Sequence, residues 1–462
     1  MKCIEMSMHA TKIRLLKTSK ILMEEKMNWK EEIDGYLSQH KEEIVRKLCE
    51  FVQIPSIAQF DSGVYPYGPD CARALDFCAD LCREKDLTVV NHDYRCVEAK
   101  LSPQAKGRRL VIASHADVVP VDDDDIYPPF GGTVQGDYIV GRGVVDDKGP
   151  LIATLYALAF FKEKQVPLNN DIRLVFGSNE ESGMDDMRYY LEKEGQPDWG
   201  LAVDDDFPVT NGEKGQIQFT LSARKHPCVD SVVSSGKRQR MIHDRCVICR
   251  GDECAEESRQ DASDNPIVRA VEKHGPLLAD ESADALLKKL CTDTNAALLG
   301  LDRQDEVSGR TLLRLYQLHT QDDELVCSFD IRLPVSFPVE EALPILKSAA
   351  QDLRFSLEIT KLNPGYYVPA TDPMVRLLTD LYNNETDSND RPYVMGACTY
   401  ARAFEHGCGF GGGNPHEVKQ FPAGHGGAHG PDEAHNIPVL LTAVKMYTMP
   451  WATPAPPCSC RF

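Results

Sequence analysis

The sequence predicts an α/β fold, a mostly parallel sheet covered by helices and interrupted by a smaller α+β lid domain. Three observations predict it. RRLVIASHADVV (108–119) and DIRLVFGSNEE (171–181) are short apolar runs bounded by polar residues, as buried strands are. Between them, KGPLIATLYALAFFKEKQV (148–166) reads as an amphipathic helix that follows a glycine turn. Strand, helix and strand at this spacing make a βαβ unit, whose two strands run parallel. The character of the chain then changes after GEKGQIQFTLSAR (212–224) and reverts at GYYVPATDPMVRLLTDLYN (365–383).

In order along the chain, residues 30–52 repeat apolar positions at helical spacing. ARALDFCADLC (72–82) places Cys78 and Cys82, with Cys71 just before it, on one helix face. The βαβ unit follows. Residues 225–265 read as polar, basic in patches and irregular. From about 266 to 361, helix-like runs (ADALLKKLC, VEEALPILKSAAQDL) mix with strand-like ones (LVCSFDIRLP, FSLEITKL). We therefore expect a discontinuous main domain over 28–214 and 362–450, a lid over 215–361, and flexible tails over 1–27 and 451–462. Met23 and Met27 are alternative starts. No internal repeat is present.

The 462 residues carry 51 Lys+Arg and 71 Asp+Glu, a formal charge of −20. That excess argues against nucleic acid or an anionic membrane as partner. The length suggests two or three domains. The N-terminus lacks the uninterrupted apolar core of a signal peptide, and no run of 18 apolar residues occurs. The 16 Cys are scattered, many of them in apolar stretches, and read as buried thiols. A cytoplasmic, reducing setting is the expectation.

Five fragments carry chemistry: SHADVVP with His115 and Asp117, GRGVVDDKGP with Asp146, SNEESG with Glu180 and Glu181, VDDDFP with Asp204, and GGAHGPDE with His429. Each puts a His or carboxylate at the end of a strand or in a glycine-rich loop. In an open α/β sheet, ligands bind beyond the carboxyl ends of the strands. Two His and several carboxylates suit zinc better than calcium or magnesium. The set can serve two ions, each taking one His, one private carboxylate, a shared carboxylate and a shared water. One leftover carboxylate could then take a proton, and another could orient a ligand His.

These fragments resemble metallopeptidase family 20, the aminoacylases, carboxypeptidases and desuccinylases. The run HADVVP…PPFGG…GRGVVDDKGP…EESG…DDDFPVTNGEKG is most similar to its bacterial dipeptidase branch. The likeness covers roughly 30–220 and 360–445 and implies a zinc-peptidase-like main domain. It implies two Zn2+ per chain, with Co2+ or Mn2+ as substitutes. His115, Asp146 and Asp204 would hold one ion, and Asp146, Glu181 and His429 the other. Glu180 matches the general base, and Asp117 the acid behind His115. The implied activity is hydrolysis of dipeptides. An N-acyl-amino-acid deacylase is the alternative, and a non-catalytic homologue with a decayed lid the third reading. The small peptide would be the only partner of a monomer, with a homodimer as the alternative.

The lid resembles the family less closely. SSGKRQRMIHDR (234–245) puts Arg240 where the family's substrate-binding Asn is expected and His243 where Pro is. IVRAVEKHGPLLADESADALLKKL (267–290) makes His274 the implied oxyanion-stabilising residue. SFDIRLP makes Arg332, and CTYARAF makes Arg402, the implied grips on the substrate carboxylate. Three other features carry less. HDRCVICRGDEC (His243, Cys246, Cys249, Cys254) has a single CxxC and reads as a strand with incidental thiols. DDDD (122–125) lacks the glycine and closing Glu of a calcium loop. KRQR (237–240) is a short basic patch in an acidic protein.

Overall fold

A computed structural model describes residues 29–60, 63–101, 107–121, 124–166, 168, 170–236, 242–260 and 264–452. It divides into two compact units. One comprises the chain up to Val209 with Ala370–Pro392 and Thr399–Phe462, the other Thr210–Pro369 with Tyr393–Cys398.

In the first unit, strands lie in the order Thr88–His92, Cys96–Lys100, Asp171–Gly177, Arg109–His115, Trp199–Ala202 and Gly407–Gly409. The last four run parallel, with Arg109 opposite Asp171 and His115 opposite Gly177. The first two form an antiparallel hairpin on the edge. Arg109–His115 and Asp171–Gly177 are buried from their second residue onward. Near-continuous apolar strands of this kind need cover on both faces.

Lys148–Glu163, expected to be amphipathic, is instead buried on every side from Lys148 to Phe161. Its charged residues stand only at its two ends, Lys148 and the final KE, so the helix has no wet face and serves as core. It packs against Ile437–Ala452 and against the Arg109–His115 strand. The Ile437–Ala452 helix runs two residues into the expected C-terminal tail. The rest of that tail and the N-terminal one lie outside the described residues.

A small antiparallel sheet, Thr133–Gln135, Tyr138–Val140 and Ala434–Asn436, completes this unit. It pairs Val140 with Ala434, bringing the loop after 140 beside the loop before 434. Two of the five chemical fragments sit on those loops.

The second unit is a seven-stranded antiparallel sheet with three helices, Pro266–His274, Glu281–Thr292 and Val339–Asp352. Its strands lie in the order Glu253–Ser258, Arg245–Arg250, Ser231–Ser235, Leu312–Gln321, Glu324–Leu333, Gly215–Arg224 and Ser356–Asn363. Ile217, Phe219, Leu287, Phe329 and Leu346 are fully buried in its core.

The stretch expected to be irregular, 225–265, supplies three of these strands. Their polarity belongs to the wet face of an antiparallel sheet edge, where burial alternates along the strand. Cys249 and Cys254 stand opposite each other in the edge hairpin and form a disulfide. That corrects their reading as incidental thiols. Cys246 is fully buried and does not join them. The KRQR patch with Arg240, and half of the DDDD run, lie outside the described residues. Among the described residues, no helix is long and apolar enough to cross a membrane.

Candidate metal centre

Three parallel strands end at the same edge of the sheet, and each delivers chemistry there. Arg109–His115 ends on His115, Asp171–Gly177 leads into Glu180 and Glu181, and Trp199–Ala202 leads into Asp204. The loop after Tyr138–Val140 brings Asp146, and the loop before Ala434–Asn436 brings His429. All seven residues expected at a metal centre, His115, Asp117, Asp146, Glu180, Glu181, Asp204 and His429, belong to the first unit.

His115 is fully buried and turns its Nδ1 to the Asp117 carbonyl at 2.9 Å, with the Asp117 carboxylate at 3.4 Å. Its Nε2 is left to face Asp146 Oδ1 at 2.9 Å and Asp204 Oδ2 at 3.5 Å. His429 Nε2 lies 2.7 Å from Asp146 Oδ2 and 2.9 Å from Glu181 Oε1. Asp146 thus offers one oxygen to each histidine. Ligand atoms of His115, Glu180 and Asp204 lie within 4.8 Å of one another, as do those of His115, Asp146 and Glu181.

These atoms are held from behind. Asp117 accepts the backbone N–H groups of both Glu180 and Glu181 at 3.2 Å, so one carboxylate aims a histidine and fixes the paired glutamates. Glu433 accepts from Val145 N at 2.9 Å and Asp146 N at 3.1 Å, and pairs with Arg142 at 2.7 Å. Asp186 accepts from Ser178 N and Asn179 N at 2.7 Å and from the Tyr400 hydroxyl at 2.5 Å. Asp147 accepts the His115 N–H at 3.1 Å.

Glu433, Asp186 and Asp147 were not singled out from the sequence. Glu433 had a signal, an acid four residues after His429 in a glycine-rich loop. Asp186 had none, since an acid at a helix start is common on any surface.

The cluster is under electrostatic tension that a cation would relieve. Burial pushes Glu180, Asp204 and Asp147 above the ordinary carboxylate range. Burial and the neighbouring Asp146 charge raise Glu181 to about 7. Burial acts the same way on Asp146, but His429 and His115 outweigh it and hold Asp146 well below its usual value. Burial likewise opposes protonation of His429, yet Asp146 and Glu181 raise it to about 12. Glu180 Oε1 is buried and makes no hydrogen bond, and the buried His115 Nε2 and Asp146 Oδ1 face each other at 2.9 Å. Buried polar atoms without partners are costly, and a set of imidazole and carboxylate donors aimed at a common point fits one or two divalent ions.

The remaining candidates lie elsewhere. His274 ends the Pro266–His274 helix, where its Nε2 faces Glu257 Oε1 at 3.1 Å. Arg332 lies on Glu324–Leu333, with Nε 2.6 Å from Asp330 Oδ1 and Nη1 on the Gly396 carbonyl. Both belong to the second unit. Arg402 is in the first unit, on the short 3₁₀ turn Tyr400–Ala403 whose Tyr400 ring stands edge-on to His115. His243 bonds Ser234 Oγ at 2.8 Å in the second unit.

Comparison with known proteins gives a consistent picture. The family model for peptidase family M20/M25/M40 matches residues 111–449. A Staphylococcus aureus (strain USA300) protein named "putative dipeptidase" is 28% identical over 438 residues, covering 83% of this chain and 91% of the relative. Human carnosine dipeptidase 1 superposes with a TM-score of 0.62 at 16% identity, covering 92% of this chain and 98% of that one. The di-peptidase Dug1p of Saccharomyces cerevisiae superposes with the same TM-score at 14% identity, covering 92% and 99%.

Proposed function

The chain belongs to peptidase family M20/M25/M40, and from that premise we propose that it hydrolyses the amide bond of dipeptides with two zinc ions as cofactor. The observation that carries the reading is Asp146, whose two oxygens each face a different histidine. His115, Asp146 and Asp204 would hold one ion, and Asp146, Glu181 and His429 the other. The names of the bacterial relatives support a short peptide as substrate. Bound there, the ions would polarise the scissile carbonyl and lower the pKa of the attacking water.

Glu180 is the carboxylate left over from the two ligand sets. Its burial makes it a stronger base than a solvated glutamate. It would take the proton of the attacking water and pass it to the departing amine. Asp117 would keep His115 oriented through Nδ1 and hold the Glu180 backbone in place. Arg332 and Arg402 would grip the substrate carboxylate, and His274 would donate to the developing oxyanion. Arg332 now holds Asp330, and His274 holds Glu257, so each would exchange a protein carboxylate for substrate.

The test is a dipeptide panel run beside N-acyl amino acids, after chelation and again after adding zinc, cobalt or manganese. We expect turnover of dipeptides that chelation removes and metal restores. Activity that survives exhaustive chelation overturns the reading.

Metal loading should also release protons. His429, raised to about 12, is protonated at neutral pH in the metal-free protein and must lose that proton to become a ligand. Burial opposes protonation of His115, but Asp117, Asp146 and Asp204 outweigh it and hold His115 above its usual value, so it has a proton to lose as well. Glu181, at about 7, adds one once the pH falls below that value. The loaded state therefore binds fewer protons, so affinity rises with pH. The slope is about tenfold per pH unit for each proton released, and it steepens below pH 7. Zinc titration calorimetry in two buffers of different ionisation enthalpy checks this. Heats that do not depend on the buffer would refute it.

A further inference from the structure

The family match begins at residue 111, yet a segment well before it touches both halves of the metal centre. The helix over 29–52 ends in a turn, and its C-terminal carbonyls lack partners within the helix. Lys148, two residues beyond Asp146, is fully buried and donates its Nζ to Phe51 O at 3.2 Å and Ile54 O at 2.7 Å. The same ammonium lies 4.9 Å from the Phe51 ring centre. A buried lysine whose partners among the described residues are main-chain oxygens and a ring face is unusual in a stable core.

Ser56, equally buried, reaches the other loop. Its Oγ donates to Ala116 O at 2.6 Å, and its carbonyl accepts from Val118 N at 3.0 Å. Ala116 sits between His115 and Asp117. The two loops also meet directly. Gly143 has φ +89°, and a Cβ there would come 2.6 Å from Val118 and 3.2 Å from the Lys148 side chain.

We propose that Lys148 and Ser56 are positioning residues for the metal centre, with the 51–56 turn as a bracket that sets the His115–Asp117 loop against the Asp146–Asp147 loop. Neither side chain ligates an ion. The bracket fixes the separation of His115 from Asp146, and that separation governs how well both can serve one ion. The proposal rests on the two-metal reading above.

The test is Co2+ titration of the chelated full-length protein, followed by the visible absorption of bound cobalt, with melting of the chelated protein recorded alongside. Removing a group that orients ligands typically weakens metal binding about 10–100-fold. Lys148→Met is expected in that range, and Ser56→Ala at its lower edge, each still taking up two ions with an altered cobalt spectrum. The double variant should weaken binding by less than the product of the single effects, because both act through one bracket. A purely structural role would lower the melting temperature but leave affinity and spectrum as in the wild type, and that result overturns the proposal. If Lys148→Met does not fold, Ser56→Ala decides alone, and wild-type affinity and spectrum in that variant overturn the proposal. A wild-type protein that takes up no cobalt overturns the two-metal reading itself, which separates the two failures.

Discussion

Asp146→Asn is expected to remove both metal ions at once and to reduce dipeptide turnover by about 10³-fold or more, the several kcal/mol that metal ions supply to such a reaction. The substitution keeps the side chain's shape and the Glu433 bond to the Asp146 backbone. It removes the single negative charge that faces His115 Nε2 and His429 Nε2 together. A private ligand such as Asp204 should behave differently, with one ion lost and the other kept. Metal content by atomic emission, read beside kcat/KM, checks both statements. An Asp146→Asn protein that holds two ions and keeps a tenth of its activity would sink the shared-ligand assignment.

The second large effect belongs to Glu180. Glu180→Gln should lower kcat by about 10²–10⁴-fold, the usual worth of a positioned general base, while two ions stay bound. Gln is nearly isosteric, and the bond from the residue's backbone N–H to Asp117 is untouched. KM should change little, since the lost interaction is made in the transition state. Should kcat stay within threefold of the wild type, another group must move the proton. Should the ions leave as well, Glu180 is a ligand and Glu181 becomes the candidate base.

The α/β fold class and the cluster of His115, Asp117, Asp146, Glu180, Glu181, Asp204 and His429 were legible for two reasons, of which one, the glycine-rich loops, marked Asp146 and His429. The other is that apolar strands announce themselves by composition, and their carboxyl ends are where polar residues gather. Glu433 and Asp186 were not legible, because their work is to accept backbone N–H groups from loops distant in sequence, which leaves no local pattern. The strands within 225–265 hid for a different reason. An edge hairpin with one wet face is half polar by construction, and Cys249 opposite Cys254 becomes visible only once the register is known. The Lys148–Glu163 helix was misjudged as amphipathic because its few charged residues all stand at its ends.

The insertion of the second unit has a consequence for biosynthesis. Every proposed ligand but one precedes the insertion, while His429 follows Asp204 by 225 residues (429 − 204). At about 5–20 residues per second, the ribosome needs roughly 10–45 s to bridge that gap. Through that interval the proposed cradle would have its carboxylates but only one of its two histidines. The Gly407–Gly409 strand that helps complete the first unit is made only late in that interval, and the Ile437–Ala452 helix after it. On the proposed ligand sets, the ion held by His115, Asp146 and Asp204 could bind early, while the one that needs His429 would be a late arrival.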